Sequence, residues 1–147
     1  MYMGRRGATL VVVGLLLIPL TLLASLFLDM GQIQAYRSEA QLSADAAALA
    51  GGSGFIDGGG EGGGLVTARV HQYVNKNDIG GSHAQVDSLV IDVNAGRLRV
   101  VLGYQTGPLM LAPSGIRMQA KAGAQVSEQT LVSADGGVAQ VKKLQLR

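Results

Sequence analysis

The residues able to do chemistry are few in this chain, and their spacing matches no catalytic or ligand-binding pattern. The two histidines, His71 and His83, have no second metal-type ligand at helical or hairpin spacing, so no metal site is expected. Cysteine is absent, which removes thiolate chemistry, cysteine ligands and disulfides. Serine, histidine and aspartate all occur, yet no Gly-x-Ser-x-Gly turn marks a nucleophile. Gly58, Gly60 and Gly63 have the spacing of a dinucleotide loop, but no strand precedes them, and within a glycine tract composition alone produces the match. Asp45 is the one acid set among small apolar residues of a helix, where a polar face or a cap is the simpler role than catalysis. The expectation is a chain that is not an enzyme and takes no cofactor, metal or small-molecule substrate.

The elements that would position these residues are dominated by one stretch. From Ala8 to Leu28 the sequence ATLVVVGLLLIPLTLLASLFL carries no charge over 21 residues. At about 1.5 Å per residue a helix of this length reaches roughly 31 Å, the thickness of a bilayer's hydrocarbon core. Arg5 and Arg6 precede it and Asp29 follows, so the positive-inside rule leaves the amino terminus in the cytoplasm and everything from Asp29 onward outside. Secretory signals have shorter apolar regions and a small-x-small cleavage site; this run is longer and has no clean A-x-A, which favours an uncleaved anchor over a signal or a prepilin-type cut after Gly7. Pro19 falls in mid-span, where it removes one backbone hydrogen bond and bends the helix. Of the 12 Lys and Arg, two are Arg5 and Arg6, which leaves ten against the ten Asp and Glu. The exported part is therefore formally neutral, and nucleic acid, which calls for clustered positive charge, is not an expected partner.

Helical character continues past the span. Met30 to Ala50, MGQIQAYRSEAQLSADAAALA, has no proline and repeats apolar residues at Ile33, Tyr36, Ala40, Ala44, Ala47 and Leu49. One helix of some forty residues, roughly 64 Å long, is expected. Ala44, Ala46, Ala47, Ala48 and Ala50 give it a small-residue face that either packs closely on a partner helix or lies on the chain's own domain. Next comes GGSGFIDGGGEGGG, residues 51–64, with nine glycines in fourteen residues, read as a flexible link.

Leu65 to Asn77 then places Leu65, Val66, Val70, Tyr73 and Val74 on one side of a short helix. Three alternating runs, Ala84 to Val93, Leu98 to Tyr104 and Ile116 to Val126, have the period of two that turns one set of side chains inward. The loop Asn94-Ala95-Gly96 pairs the first two antiparallel. Asp135-Gly136-Gly137 turns Thr130 to Ser133 back into Val138 to Leu146, unless the ending is a loose tail. Between the second and third runs lies Gly107 to Ser114 and Gly115, with Leu109, Met110 and Leu111 at its centre. Loops are normally polar, so this tip either plugs the open end of the sheet or touches the membrane or a partner.

The order Arg5-Arg6-Gly7, apolar span, Asp29-Met30-Gly31, Tyr36, Leu42 and Ala44-Asp45-Ala46-Ala47-Ala48-Leu49-Ala50 resembles the amino-terminal region of TadE/TadG-like Flp pilus-assembly proteins. The resemblance covers residues 5 to 50, with the alanine-rich ending its most specific part, and is looser beyond. Pilin-like members carry Glu at the fifth position after the cleaved Gly; counting from Ala8 that position is Val12, so the resemblance leans to the TadG-like, uncleaved side. It implies a single-pass protein of the bacterial inner membrane whose partners are the lipid bilayer and other Tad pilus-assembly or pilin-like proteins. The expected fold class is α+β: a long amino-terminal transmembrane helix continuing outside the membrane, then a short helix packed on a small antiparallel sheet of three or four strands. The expected division is 1–7 cytoplasmic, 8–28 membrane span, 29–50 helix extension, 51–64 link and 65–147 outer domain. The resemblance implies a non-enzymatic assembly or anchoring role; a fibre subunit cut after Gly7, or an unrelated membrane-tethered binding module, are the alternatives.

Overall fold

The computed structural model describes residues 4–58, 63–79, 81–132 and 138–146 of the chain. One helix, α1, runs from Gly4–Asp57, 54 residues with Pro19 inside it, about 81 Å at 1.5 Å per residue. It is long and apolar enough to cross a membrane. From Thr9 to Leu28 every residue is exposed except Ser25, which is half-buried. The hydroxyls of Thr21 and Ser25 donate to the carbonyls of Ile18 at 2.8 Å and of Thr21 at 2.9 Å, so both are satisfied within the helix itself. The side chains of Arg5, Arg6 and Ala8 lie outside the described residues.

The glycine-rich stretch corrects an expectation. Gly51 to Asp57 is not a flexible link but the last two turns of α1, and α2 begins within the tract, Gly63–Val74; residues 59–62 lie outside the described residues. Glycine in a helix costs about 1 kcal/mol relative to alanine, and close packing offsets it here. A Cβ on Gly54 would lie 2.9 Å from both the backbone nitrogen and the Cα of Val66, and one on Gly51 would lie 2.6 Å from Cγ2 of Val70. The bare backbone lets α2 come against α1. Arg69 of α2 fastens the pair: its guanidinium bonds Asp57 at 2.6 Å and donates to the Ser53 hydroxyl at 2.6 Å, a cation set at the helix end that favours one.

The strands follow as β1 Asp78–Ile79, β2 Ser82–His83, β3 Gln85–Asp92, β4 Arg97–Gln105, β5 Arg117–Val132 and β6 Val138–Leu146. β1 and β2 form a small antiparallel hairpin, and the other four form an antiparallel sheet in the order β3-β4-β5-β6. The fold is thus α+β, as expected. The ending pairs with β5 from Ala124↔Leu146 to Val132↔Val138, so it is a strand and not a tail; Asp135-Gly136-Gly137 lies outside the described residues. The β3–β4 connection spans four residues between Asp92 and Arg97, with Gly96 at φ +57°, a left-handed value glycine adopts without steric cost.

Facing rows explain the core. Leu98, Val100, Leu102 and Tyr104 of β4 stand opposite Ala124, Ala122, Ala120 and Met118 of β5. Ala40, Ala44, Ala47 and Ala48 of α1 and Val66, Val70 and Val74 of α2 are buried in the same cluster. Alanines on both helix and strand let α1 sit low on the sheet, and the bulk comes from β4 and α2. Leu65, Val93 and Ile116, apolar residues of those patterned runs, are exposed: Leu65 lies in the first turn of α2, Val93 just beyond β3 and Ile116 just before β5.

Candidate contact site at the end of the apolar run

The stripe of α1 that faces the sheet contains one buried carboxylate. Asp29, Ala40, Ala44, Ala47 and Phe55 recur at near-helical spacing and are all buried, with Ile33 and Tyr36 half-buried between them. Asp29 is therefore turned toward the chain's own domain while standing one residue past the apolar run. α1 crosses the sheet from Gln41, whose side-chain amide donates to the Lys121 carbonyl at 3.1 Å, to Gly51 and Gly52, which lie against Leu98 and Leu144. This direction brings the β4–β5 connection to the end of the sheet nearest the apolar run.

There Asp29 takes hold of the apolar loop. One carboxylate oxygen accepts the Met110 N–H at 2.9 Å and the other the Leu111 N–H at 2.8 Å. Two bonds from consecutive amides to one carboxylate are charge-assisted and fix the loop's orientation as well as its position. Asp29 as a whole is 4% exposed. The base of the loop is closed by Thr106, whose N–H donates to the Ile116 carbonyl at 3.0 Å while its hydroxyl accepts the Ile116 N–H at 2.8 Å. Gln105 donates to the Ser114 carbonyl at 2.7 Å. The turn back is made by Gly115 at φ +70°, where a Cβ would run into the Thr106 carbonyl.

This geometry divides the three apolar residues that sequence reading had grouped. Leu109 is 4% exposed, whereas Met110 is 64% and Leu111 55% exposed. The loop buries one side chain and leaves the other two exposed. Sequence reading named both Asp29 and the loop but not their contact; the signals were a lone acid directly after an apolar run and an apolar loop in need of a reason.

The remaining candidates fall elsewhere. Ala44, Ala47 and Ala48 are buried in the chain's own core and Ala46 and Ala50 are half-buried, so the small-residue face lies on the chain's own sheet rather than awaiting a partner helix. Leu42 and Leu49 point outward, as does Gly31, beside which no atom would meet a Cβ within 4 Å. Asp45 accepts from the Gln41 side chain at 3.0 Å, one turn away on the same helix. His71 is exposed on α2; His83, contrary to the expectation of no acid at hairpin spacing, pairs with Asp78 across the β1–β2 hairpin.

Tyr104, also at this end of the sheet, is the buried titratable group of the core. Burial pushes its hydroxyl above the ordinary value of 10.0, with the Arg37 guanidinium opposing. The unfolded chain then loses this proton first as the pH rises. Stability from Tyr104 is complete below about pH 10 and is lost as the pH climbs through the higher folded value. Alkaline denaturation followed by circular dichroism is expected to begin near pH 10 and to flatten in Tyr104→Phe; an unchanged profile would remove Tyr104 as the cause.

Residues 7–54 match the family model of Flp pilus-assembly TadE/G-like (Tad) proteins. No curated protein and no solved structure matches the chain. The matched segment lies wholly within α1, so the likeness resides in the long helix and the sheet stands outside it.

Proposed function

We propose that this chain, whose residues 7–54 form a TadE/G-like segment, is a non-enzymatic, membrane-anchored component of Flp (Tad) pilus assembly. The observation that carries the reading is the coincidence of that segment with one continuous helix whose first part is apolar and exposed and whose second part is fastened to a β domain. In this reading residues 8–28 span the bacterial inner membrane with the amino terminus in the cytoplasm, and residues 29–147 stand outside. The surface offered to neighbouring pilin-like or platform helices is the exposed span, because the alanine stripe is occupied by the chain's own sheet. The β domain presents its open face to the growing fibre or the envelope. Pilus-assembly proteins are its partners, together with the bilayer; no nucleic acid, cofactor or small-molecule substrate enters.

The test combines fractionation with mass spectrometry of the amino terminus. The full chain is expected in the detergent-extracted inner-membrane fraction with its start intact, absent from sheared fibres, and its deletion is expected to reduce surface pili. A chain beginning at Ala8 and recovered in the fibres would make it a pilin-like subunit instead. Normal piliation without it, and no secretion ATPase or prepilin peptidase among the neighbouring genes, would leave only a membrane-tethered binding module.

A further inference from the structure

We infer that the 107–115 loop is a second membrane contact: Met110 and Leu111 enter the interfacial layer of the leaflet from which α1 emerges, clamped there by Asp29. The inference rests on the reading of residues 8–28 as a bilayer span and adds the lipid surface as the partner of a particular loop.

Position comes first. Asp29 is the residue after Leu28, where the apolar run ends, and its two oxygens hold the backbone of Met110 and Leu111 at 2.9 and 2.8 Å. In an α-helix each Cα–Cβ bond tilts toward the amino terminus, so the carboxylate reaches back toward the span. The loop tip therefore lies level with the last turn of the apolar run. Ser25, one turn before Asp29 on the same face, is the one partly covered residue between Thr9 and Leu28, as a loop reaching over that turn requires.

Chemistry comes next. Two of the loop's three central apolar side chains are held outward, although Leu109 beside them is buried. The loop is braced: Thr106 and Ile116 close its base, the Leu109 N–H donates to the Ala112 carbonyl at 3.1 Å, and Gly115 fixes the return. Met110 and Leu111 cannot fold inward without giving up these bonds and the Asp29 clamp. Their backbone donors are already satisfied by the carboxylate, which removes the main obstacle to placing irregular backbone at a lipid boundary. Leu26, Phe27 and Leu28 of the same turn are themselves exposed, so the tip adds to the lipid-facing surface at that level two residues that lie more than eighty positions away in sequence. With two attachments, helix and loop, the β domain has a set tilt over the membrane.

The chain has no cysteine, so single spin labels can be placed in the full-length protein without background changes. Met110→Cys, Leu111→Cys, Phe27→Cys and Val90→Cys would be labelled and reconstituted in nanodiscs of phosphatidylethanolamine and phosphatidylglycerol. Relaxation by oxygen and by a water-soluble nickel chelate reports the depth of each label. Positions 110 and 111 are expected to favour oxygen, as Phe27 does, while Val90 on the open sheet face favours nickel; Asp29→Ala should shift position 110 toward nickel. Nickel access at 110 and 111 equal to that at Val90, with Phe27 still in lipid, overturns the loop contact and leaves the span standing. Exclusion of both reagents at 110 and 111 overturns it in favour of a protein partner. Nickel access at Phe27 overturns the span itself, and the loop contact with it.

Discussion

Gly54→Val is expected to detach α2 from α1 and unfold the β domain while leaving the apolar part of α1 helical. The added Cβ alone would sit 2.9 Å from the backbone nitrogen and Cα of Val66, atoms that no rotamer change can move aside. Overpacking a dense contact typically costs about 1–3 kcal/mol and sometimes more, and here two further methyl groups follow the Cβ into the gap. Valine is the better helix former by a few tenths of a kcal/mol, which is too little to reverse the sign. A loss of about 3 kcal/mol or more is large against the 5–15 kcal/mol that stabilises an ordinary domain. In denaturant titrations of the full chain in detergent, the sheet signal should be lost at markedly lower denaturant than in the parent. Gly52→Ala is the control. Its Cβ meets only side-chain atoms of Leu144, its Cγ and both methyl groups, which can turn away where backbone cannot, and the gain in helix propensity, about 1 kcal/mol, should offset that adjustment and leave the midpoint nearly unchanged. Equal destabilisation by both substitutions would show that glycine freedom, and not the close approach of α2, sets the requirement.

Asp29→Ala should release the loop without unfolding the sheet. The substitution removes two charge-assisted hydrogen bonds to amides, each worth about 1.5–3 kcal/mol in protected surroundings. Because the freed N–H groups can turn to water once the loop lifts, the expected local cost is about 2–4 kcal/mol. At 1.4 kcal/mol per tenfold, that corresponds to amide exchange at Met110 and Leu111 faster by roughly thirty- to several-hundred-fold. The core strands should keep their protection, since their contacts are made elsewhere. Asp29→Asn retains one acceptor and should fall between. Unchanged exchange at both amides in the alanine variant would mean the loop is held by Leu109 and Gly115 alone.

Both substitutions act where the TadE/G-like helix meets structure outside the matched segment. Gly54 is the last matched residue, and its partner Val66 lies beyond it. Asp29 lies inside it, and the loop it holds lies far beyond. In the proposed assembly role the helix is both membrane anchor and spine: one end of the β domain is fixed to it by α2 and Arg69, the other by the Asp29 clamp. A domain gripped at two points on one rigid helix moves with that helix, which is what transmitting a position from the membrane to a fibre requires.

What the sequence determined by itself was everything that depends on near neighbours. An uncharged run of 21 residues, the near-helical recurrence of Ile33, Tyr36, Ala40, Ala44 and Ala47, and the strict alternation from Met118 to Val126 are local periodicities; the first two are helix and the third is strand. The rest depends on residues brought together from afar. Gly51 and Gly54 read as a broken chain because their cost is local while the packing that offsets it comes from Val66 and Val70 of another helix. The alanine stripe did not say whether its cover was a foreign helix or the chain's own sheet, because alanine suits both. The contact of Asp29 with Met110 and Leu111 spans 81 and 82 residues. No pattern along the chain encodes such a pairing; it follows from which face of α1 lies on the sheet and in which direction the helix crosses it.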